Sequence, residues 1–143
     1  MKDLFNIKGN VAVVTGGSRG IGAMIARGFV ENGVKTYITA RKEQELRAAE
    51  QELAALGQCI AIPSDLSTVA GVTAFAAAIR AAEARVDILV NNAGATWGAE
   101  IDEFPESGWD KTMDLNVKSL FFLTQQLLPA LRAAGSRQDQ SRG

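Results

Sequence analysis

The sequence predicts an α/β chain, a parallel sheet with helices on its faces. Short apolar runs rich in valine and isoleucine alternate with stretches whose apolar residues recur every three or four positions. The connections between them are short, which suits right-handed strand–helix–strand crossovers. In "VVTGGSRGIGAMIARGF" (13–29), glycines crowd the point where the first strand hands over to the first helix.

"NVAVVT" (10–15) is a continuous apolar run, as expected of a strand covered on both faces. A helix over 20–32 follows, with Ile21, Ile25 and Phe29 on one face and Asn32-Gly33 as its stop. "VKTYITA" (34–40) is the second strand. Residues 42–56 form an amphipathic helix with Leu46, Ala49, Leu53 and Leu56 in register, ended by Gly57. "QCIAIP" (58–63) is the third strand, with Cys59 in the core. Ser67 is the expected cap of the next helix, on which Val72, Phe75 and Ile79 share a face. "VDILVN" (86–91) is the fourth strand. A long helix is expected from Ser107, with Asp110 in capping-box position, to about Ala134, bent or loosened at Pro129.

Length and composition narrow the options. The 143 residues suit one compact domain. The expected division is a single unit over 1–134 and a polar, disordered tail over 135–143. Apolar residues make up 47% and charged residues 22%, as in soluble globular chains. The net charge of −1 gives no reason to expect nucleic acid. No window approaches the ~20 apolar residues of a membrane span, and the start carries no signal-peptide pattern. The single cysteine rules out an internal disulfide and suits a reducing, cytoplasmic setting. With no histidine, His-based triads and His metal sites are excluded, and no metal site is expected.

The glycines follow the pattern T-G-x-x-x-G-x-G. Gly16 suits the tight turn out of the strand, Gly20 a close approach of backbone to ligand, and Gly22 close packing of helix on sheet. A helix start placed there offers free N–H groups and a positive dipole end to a pyrophosphate. An ordinary glycine-rich turn would read alike in isolation; the strand–turn–helix context favours a dinucleotide site. The candidate set in this turn is Thr15, Gly16, Ser18, Arg19, Gly20, Ile21 and Gly22.

"TGGSRGIG" and "NNAG" (91–94) together resemble the classical short-chain dehydrogenase/reductase family, over about Leu4 to Leu131. Within it, "ATWGAEIDEFPESGWDKTMDLNV" and "QQLLP" look most like 3-oxoacyl reductases of the rhamnolipid-linked kind. The resemblance implies a Rossmann-type sheet, here incomplete, with strand order 3-2-1-4. It implies that Asp65 accepts from the adenine amino group with Leu66 beside it, and that Asn91, Ala93 and Gly94 line the cofactor crevice. It matches Asn116, in "DLNV", to the asparagine that holds the proton-relay water. Spacing alone leaves Asn116 equally readable as a solvent-facing helix residue. It implies a small carbonyl substrate, such as a 3-oxoacyl thioester, and a homo-oligomer for the full-length form.

Three positions bear on the cofactor. NAD-binding units of this type usually place an acid at the end of the second strand. Here Ala40 stands there, Arg41 follows, and Arg19 lies in the glycine turn. Two arginine forks could flank a 2′-phosphate, which favours NADP(H) over the alternative of two unrelated surface cations. The run "RKEQELRAAEQE" (41–52) reads as a solvated helix face. Trp97 and Trp109 could touch substrate or simply pack.

The family chemistry also needs a serine and a Tyr-x-x-x-Lys pair. The only tyrosine, Tyr37, lies inside the second strand with Arg41 four residues on, so it is not the catalytic one. The expectation is a truncated, inactive form of an NADP-dependent oxidoreductase; the alternative is a non-catalytic dinucleotide-binding module.

Overall fold

The computed structural model describes residues 7–92, 106–107, 110 and 117–142, with side chains through 135. Its elements are β1 (Val11–Thr15), α1 (Gly20–Glu31), β2 (Lys35–Thr39), α2 (Glu43–Ala54), β3 (Cys59–Ala61), α3 (Val69–Ala82), β4 (Ile88–Asn91) and α4 (Ser119–Arg142). The strands form one parallel sheet in the order β3-β2-β1-β4, as the resemblance implies.

Alternation along the strands divides the core between the two faces. Val14, Ile38, Cys59 and Ala61 point to one face, under Ala26 and Val30 of α1 and Leu46 and Leu53 of α2. Val11, Val13 and Tyr37 point to the other, under Phe75 and Ile79 of α3 and Leu123 and Leu127 of α4. The buried line of α1 is Gly22, Ala26 and Val30, while Ile21 is 65% exposed. Two small residues at the start of that line let the helix close on the sheet, and this turns Ile21 outward. On α2, Leu46, Ala49 and Leu53 are buried as expected, but Leu56 lies beyond the helix and is exposed.

β3 is an outer strand, and α2 seals its edge. The Ala61 N–H donates to Glu50 Oε2 at 2.6 Å, and Arg47 Nη1 donates to the Ala61 carbonyl at 3.3 Å. Side chains thus occupy backbone groups that a further strand would otherwise pair with. At the opposite end of the sheet, Asp87 Oδ2 accepts from the Val11 N–H at 2.7 Å, and Arg85 bridges Asp87 to the Gly9 carbonyl. This joins the N-terminal ends of β1 and β4.

Three expectations need correction. The cap of α3 is Thr68, whose Oγ1 accepts from the Gly71 N–H at 3.0 Å. Ser67 instead turns back to Asp65, because it stands one residue too early to reach the free amides of the first turn. Glu106 and Ser107 are both helical, so Ser107 does not cap that segment. Finally, α4 runs to Arg142, with Pro129 inside it. The polar stretch from 135, expected as a disordered tail, is helical through 142. Its arginine and glutamine residues are good helix formers, and an established helix extends more easily than a new one nucleates.

Candidate functional site

The C-terminal ends of the four strands converge at the switch point between β1 and β4, where open α/β sheets bind ligands. The lateral row nearest that edge changes character. Val14 pairs with Ile38 and Val90, all apolar; one step on, Thr15 pairs with Thr39 and Asn91. The polar row marks where the packed sheet ends and the site begins.

The glycine turn is tied down on both sides. Its Gly16 and Gly17 N–H groups donate to the Thr39 carbonyl at 2.9 and 3.3 Å. On the β4 side, Asn92 Nδ2 donates to the Gly16 carbonyl at 3.3 Å. Gly16 (φ 66°) and Gly20 (φ 60°) both adopt the left-handed conformation that glycine takes without penalty. A Cβ on Gly20 would meet nothing within 4 Å, so the backbone there faces open space. A Cβ on Gly22 would strike the Gly16 carbonyl and come within 2.6 Å of Asn92 Nδ2.

The start of α1 carries no side-chain cap and no acidic residue in its first turn. Its leading N–H groups and positive dipole end are therefore left for an anion. Arg19 is the N-cap residue, in extended backbone (φ −158°, ψ 169°). Arg19 and Arg41 are both exposed, and neither has a salt-bridge or hydrogen-bond partner among the described residues.

Asp65 lies on the chain leaving β3. Its Oδ1 accepts from the Ser67 hydroxyl at 2.5 Å and the Ser67 N–H at 3.0 Å. These bonds, with the nearby Arg41 charge adding to them, hold its carboxyl below the usual range against a small opposing effect of burial. The acid is thus an ionised acceptor, and its Oδ2 takes no hydrogen bond among the described residues.

Not every candidate faces the site. Thr15 is 1% exposed, and its hydroxyl donates to the Val90 carbonyl and accepts from the Asn92 N–H at 3.0 Å. It builds the floor of the crevice. The Leu66 side chain is buried in the core, and its carbonyl accepts from the Ser119 hydroxyl. Ser18, Arg19, Gly20, Ile21, Arg41, Asp65 and Asn91 stand at the surface of this edge or partly open to it. Ala93, Gly94, Asn116, Trp97 and Trp109 lie outside the described residues. Tyr37 is 3% exposed with Lys35 Nζ 5.8 Å from its ring centre, so it cannot reach a substrate. No group of metal-ligating side chains occurs among the described residues.

Sequence reasoning missed Asn92, Thr39 and Ser64. Asn92 was visible as the second asparagine of "NNAG", directly after a strand. Thr39 and Ser64 are polar residues at strand ends, and only the cross-strand register reveals what they join.

The model of the family described as short chain dehydrogenase matches residues 10–141. The chain is 49% identical over 142 residues to a rhamnolipids biosynthesis 3-oxoacyl-[acyl-carrier-protein] reductase of Pseudomonas aeruginosa; this is 99% of the chain and 56% of the relative. Among solved structures, the Pseudomonas aeruginosa RhlG/NADP active-site complex superposes with a TM-score of 0.87 at 51% identity, covering 91% of this chain and 51% of that one. L-sorbose reductase from Gluconobacter frateurii, complexed with NADPH and L-sorbose, gives a TM-score of 0.85 at 36% identity, covering 91% and 50%. The chain spans about half the length of the relatives it matches.

Proposed function

The chain belongs to the short-chain dehydrogenase family, and we propose that its 143 residues form the NADP(H)-binding half of a carbonyl reductase. The observation that carries this is the uncapped, acid-free start of α1 with Arg19 at its head and Arg41, after Ala40, at the end of the adjacent strand. The residues present fit the cofactor. Gly20 leaves open space over the turn for a pyrophosphate, Arg19 and Arg41 hold the 2′-phosphate as planar forks, and Asp65 Oδ2 accepts from the adenine amino group. Asn91, Ala93 and Gly94 line the crevice, and Asn116 holds the relay water. Bound NADPH supplies the hydride.

The substrate is a ketone, and the Pseudomonas aeruginosa relative points to a 3-oxoacyl thioester. The proton donor is not among these residues, because the only tyrosine is sealed in β2. Alone, the chain binds cofactor and does not turn over. Cys59 is a buried free thiol, which suits a reducing compartment, and we place the reaction in the cytoplasm. No described helix is long and apolar enough to cross a membrane. The complete enzyme is a homo-oligomer.

The test is calorimetric titration with NADPH and NADH. NADPH should bind at least about tenfold tighter, ~1.4 kcal/mol, and Arg41→Asp should abolish most of that preference. Equal affinities in the unaltered chain would refute the assignment.

A further inference from the structure

The cofactor reading leaves one buried pair without a role. Thr39, fully buried at the end of β2, and Ser64, half-buried beyond β3, are hydrogen-bonded hydroxyl to hydroxyl. Thr39 sits beside Thr15 in the sheet, yet the two hydroxyls run in opposite directions, Thr15 to β4 and Thr39 to the chain leaving β3. The Thr39 carbonyl meanwhile receives the Gly16 and Gly17 N–H groups, and the Ser64 N–H donates to the Ala40 carbonyl at 3.3 Å. Three separate turns therefore meet at this one residue: the glycine turn, the turn bearing Arg41 and the turn bearing Asp65.

Packing alone does not call for a hydroxyl there. Valine has nearly the same shape, suits a strand, and needs no partner when buried. What the hydroxyl adds is a fixed distance between two turns that the backbone ladder is about to release.

We propose that the Thr39–Ser64 pair is a positioning device for cofactor specificity. It sets the separation between Arg41, two residues beyond Thr39, and Asp65, one residue beyond Ser64, so that 2′-phosphate and adenine are gripped together. The proposal rests on the NADP(H) reading above. Asp65 already feels the charge of Arg41, which places the two groups within electrostatic reach of each other. A guanidinium fork recognises phosphate only in good alignment. A shift of the Arg41 turn therefore weakens NADP⁺, while NAD⁺, with no 2′-phosphate, is largely indifferent to it.

The experiment titrates NADP⁺ and NAD⁺ by calorimetry into the 143-residue chain and into Thr39→Val, Thr39→Ser, Ser64→Ala and the Thr39→Val/Ser64→Ala double variant. Thr39→Val should weaken NADP⁺ about tenfold, the scale of one charge-assisted hydrogen bond, and change NAD⁺ by less than about twofold. Thr39→Ser keeps the hydroxyl and should keep the preference. Ser64→Ala should match Thr39→Val, and the double variant should be no worse than either, as for two groups acting as a unit. If Thr39→Val does not fold, Ser64→Ala at its half-buried site decides the matter. An unchanged NADP⁺/NAD⁺ ratio, or equal weakening of both nucleotides, overturns the proposal and leaves the cofactor reading standing. An unaltered chain that binds neither nucleotide overturns both.

Discussion

Replacing Gly22 by alanine puts one methyl group into the tightest joint of the glycine turn. The new carbon would stand 2.6 Å from Asn92 Nδ2 and 2.8 Å from the Gly16 carbonyl carbon, with the Gly16 oxygen nearer still. Comfortable contacts are about 3.5–4.0 Å, so α1 and the turn must part by roughly an ångström. Overpacking of this kind costs ~1–3 kcal/mol. The Asn92–Gly16 hydrogen bond is lost with it, about 1 kcal/mol more. The gain in helix propensity returns at most ~1 kcal/mol. The net expectation is a loss of about 1–3 kcal/mol. Gly28, in the same helix, is the control: it has ordinary backbone, and a Cβ there meets nothing within 4 Å. Gly28→Ala should stabilise by ~0.5–1 kcal/mol through propensity alone. Urea unfolding of both variants and the parent measures this, and NADPH titration of Gly22→Ala should show weakened binding. If Gly22→Ala unfolds at the same urea concentration as the parent, or later, the close approach of helix and turn is not what the structure describes. If it is destabilised yet binds NADPH normally, the turn is not the phosphate site.

Gly20→Val perturbs differently. The position has open space but φ 60°, so the cost is a left-handed conformation of ~1–2 kcal/mol plus a side chain where the pyrophosphate lies. NADPH titration should show binding lost more thoroughly than thermal stability, and normal binding would move the phosphate site elsewhere. The 143 residues assayed with NADPH and 3-oxoacyl thioesters should show no turnover, since positioned acid–base catalysis contributes ~10²–10⁴-fold and Tyr37 is sealed away. The described outer edge of β4 and the 61% exposed Phe121 should also make the chain associate on size exclusion; a monomer that turns over would overturn this. Burial, helped by the charge of Glu50, pushes the Cys59 thiol up to about 11 from its ordinary 9. Between those values the unfolded chain releases this proton and the folded one keeps it, so stability falls as pH rises from 9 to 11. Unfolding at pH 8 and pH 11 should show a larger loss for the parent than for Cys59→Ala, and an equal loss would show that the thiol is solvated.

The sequence by itself determined the alternation of strands and helices and the place of the glycine turn, because both rest on local signals, whereas the strand order was legible only through the family resemblance. A run such as "NVAVV" can be covered on both faces only in the middle of a parallel sheet, and Gly16 and Gly20 are needed where the backbone turns left-handed. Arg19 and Arg41 were legible as cations in the glycine turn and after the second strand, and Asp65 only through the family resemblance. The tertiary structure alone decided which candidates face outward. The side chains of Thr15 and Leu66 are buried by packing, and Ile21 is turned out by the small residues on the buried line of α1. It also decided how the turns are held: Asn92 to Gly16, and Thr39 to Ser64, are contacts between residues 76 and 25 positions apart. Local sequence constrains each turn separately. The distance between turns is fixed only when the strands pair, and that pairing also sets how far apart the groups that recognise a cofactor stand.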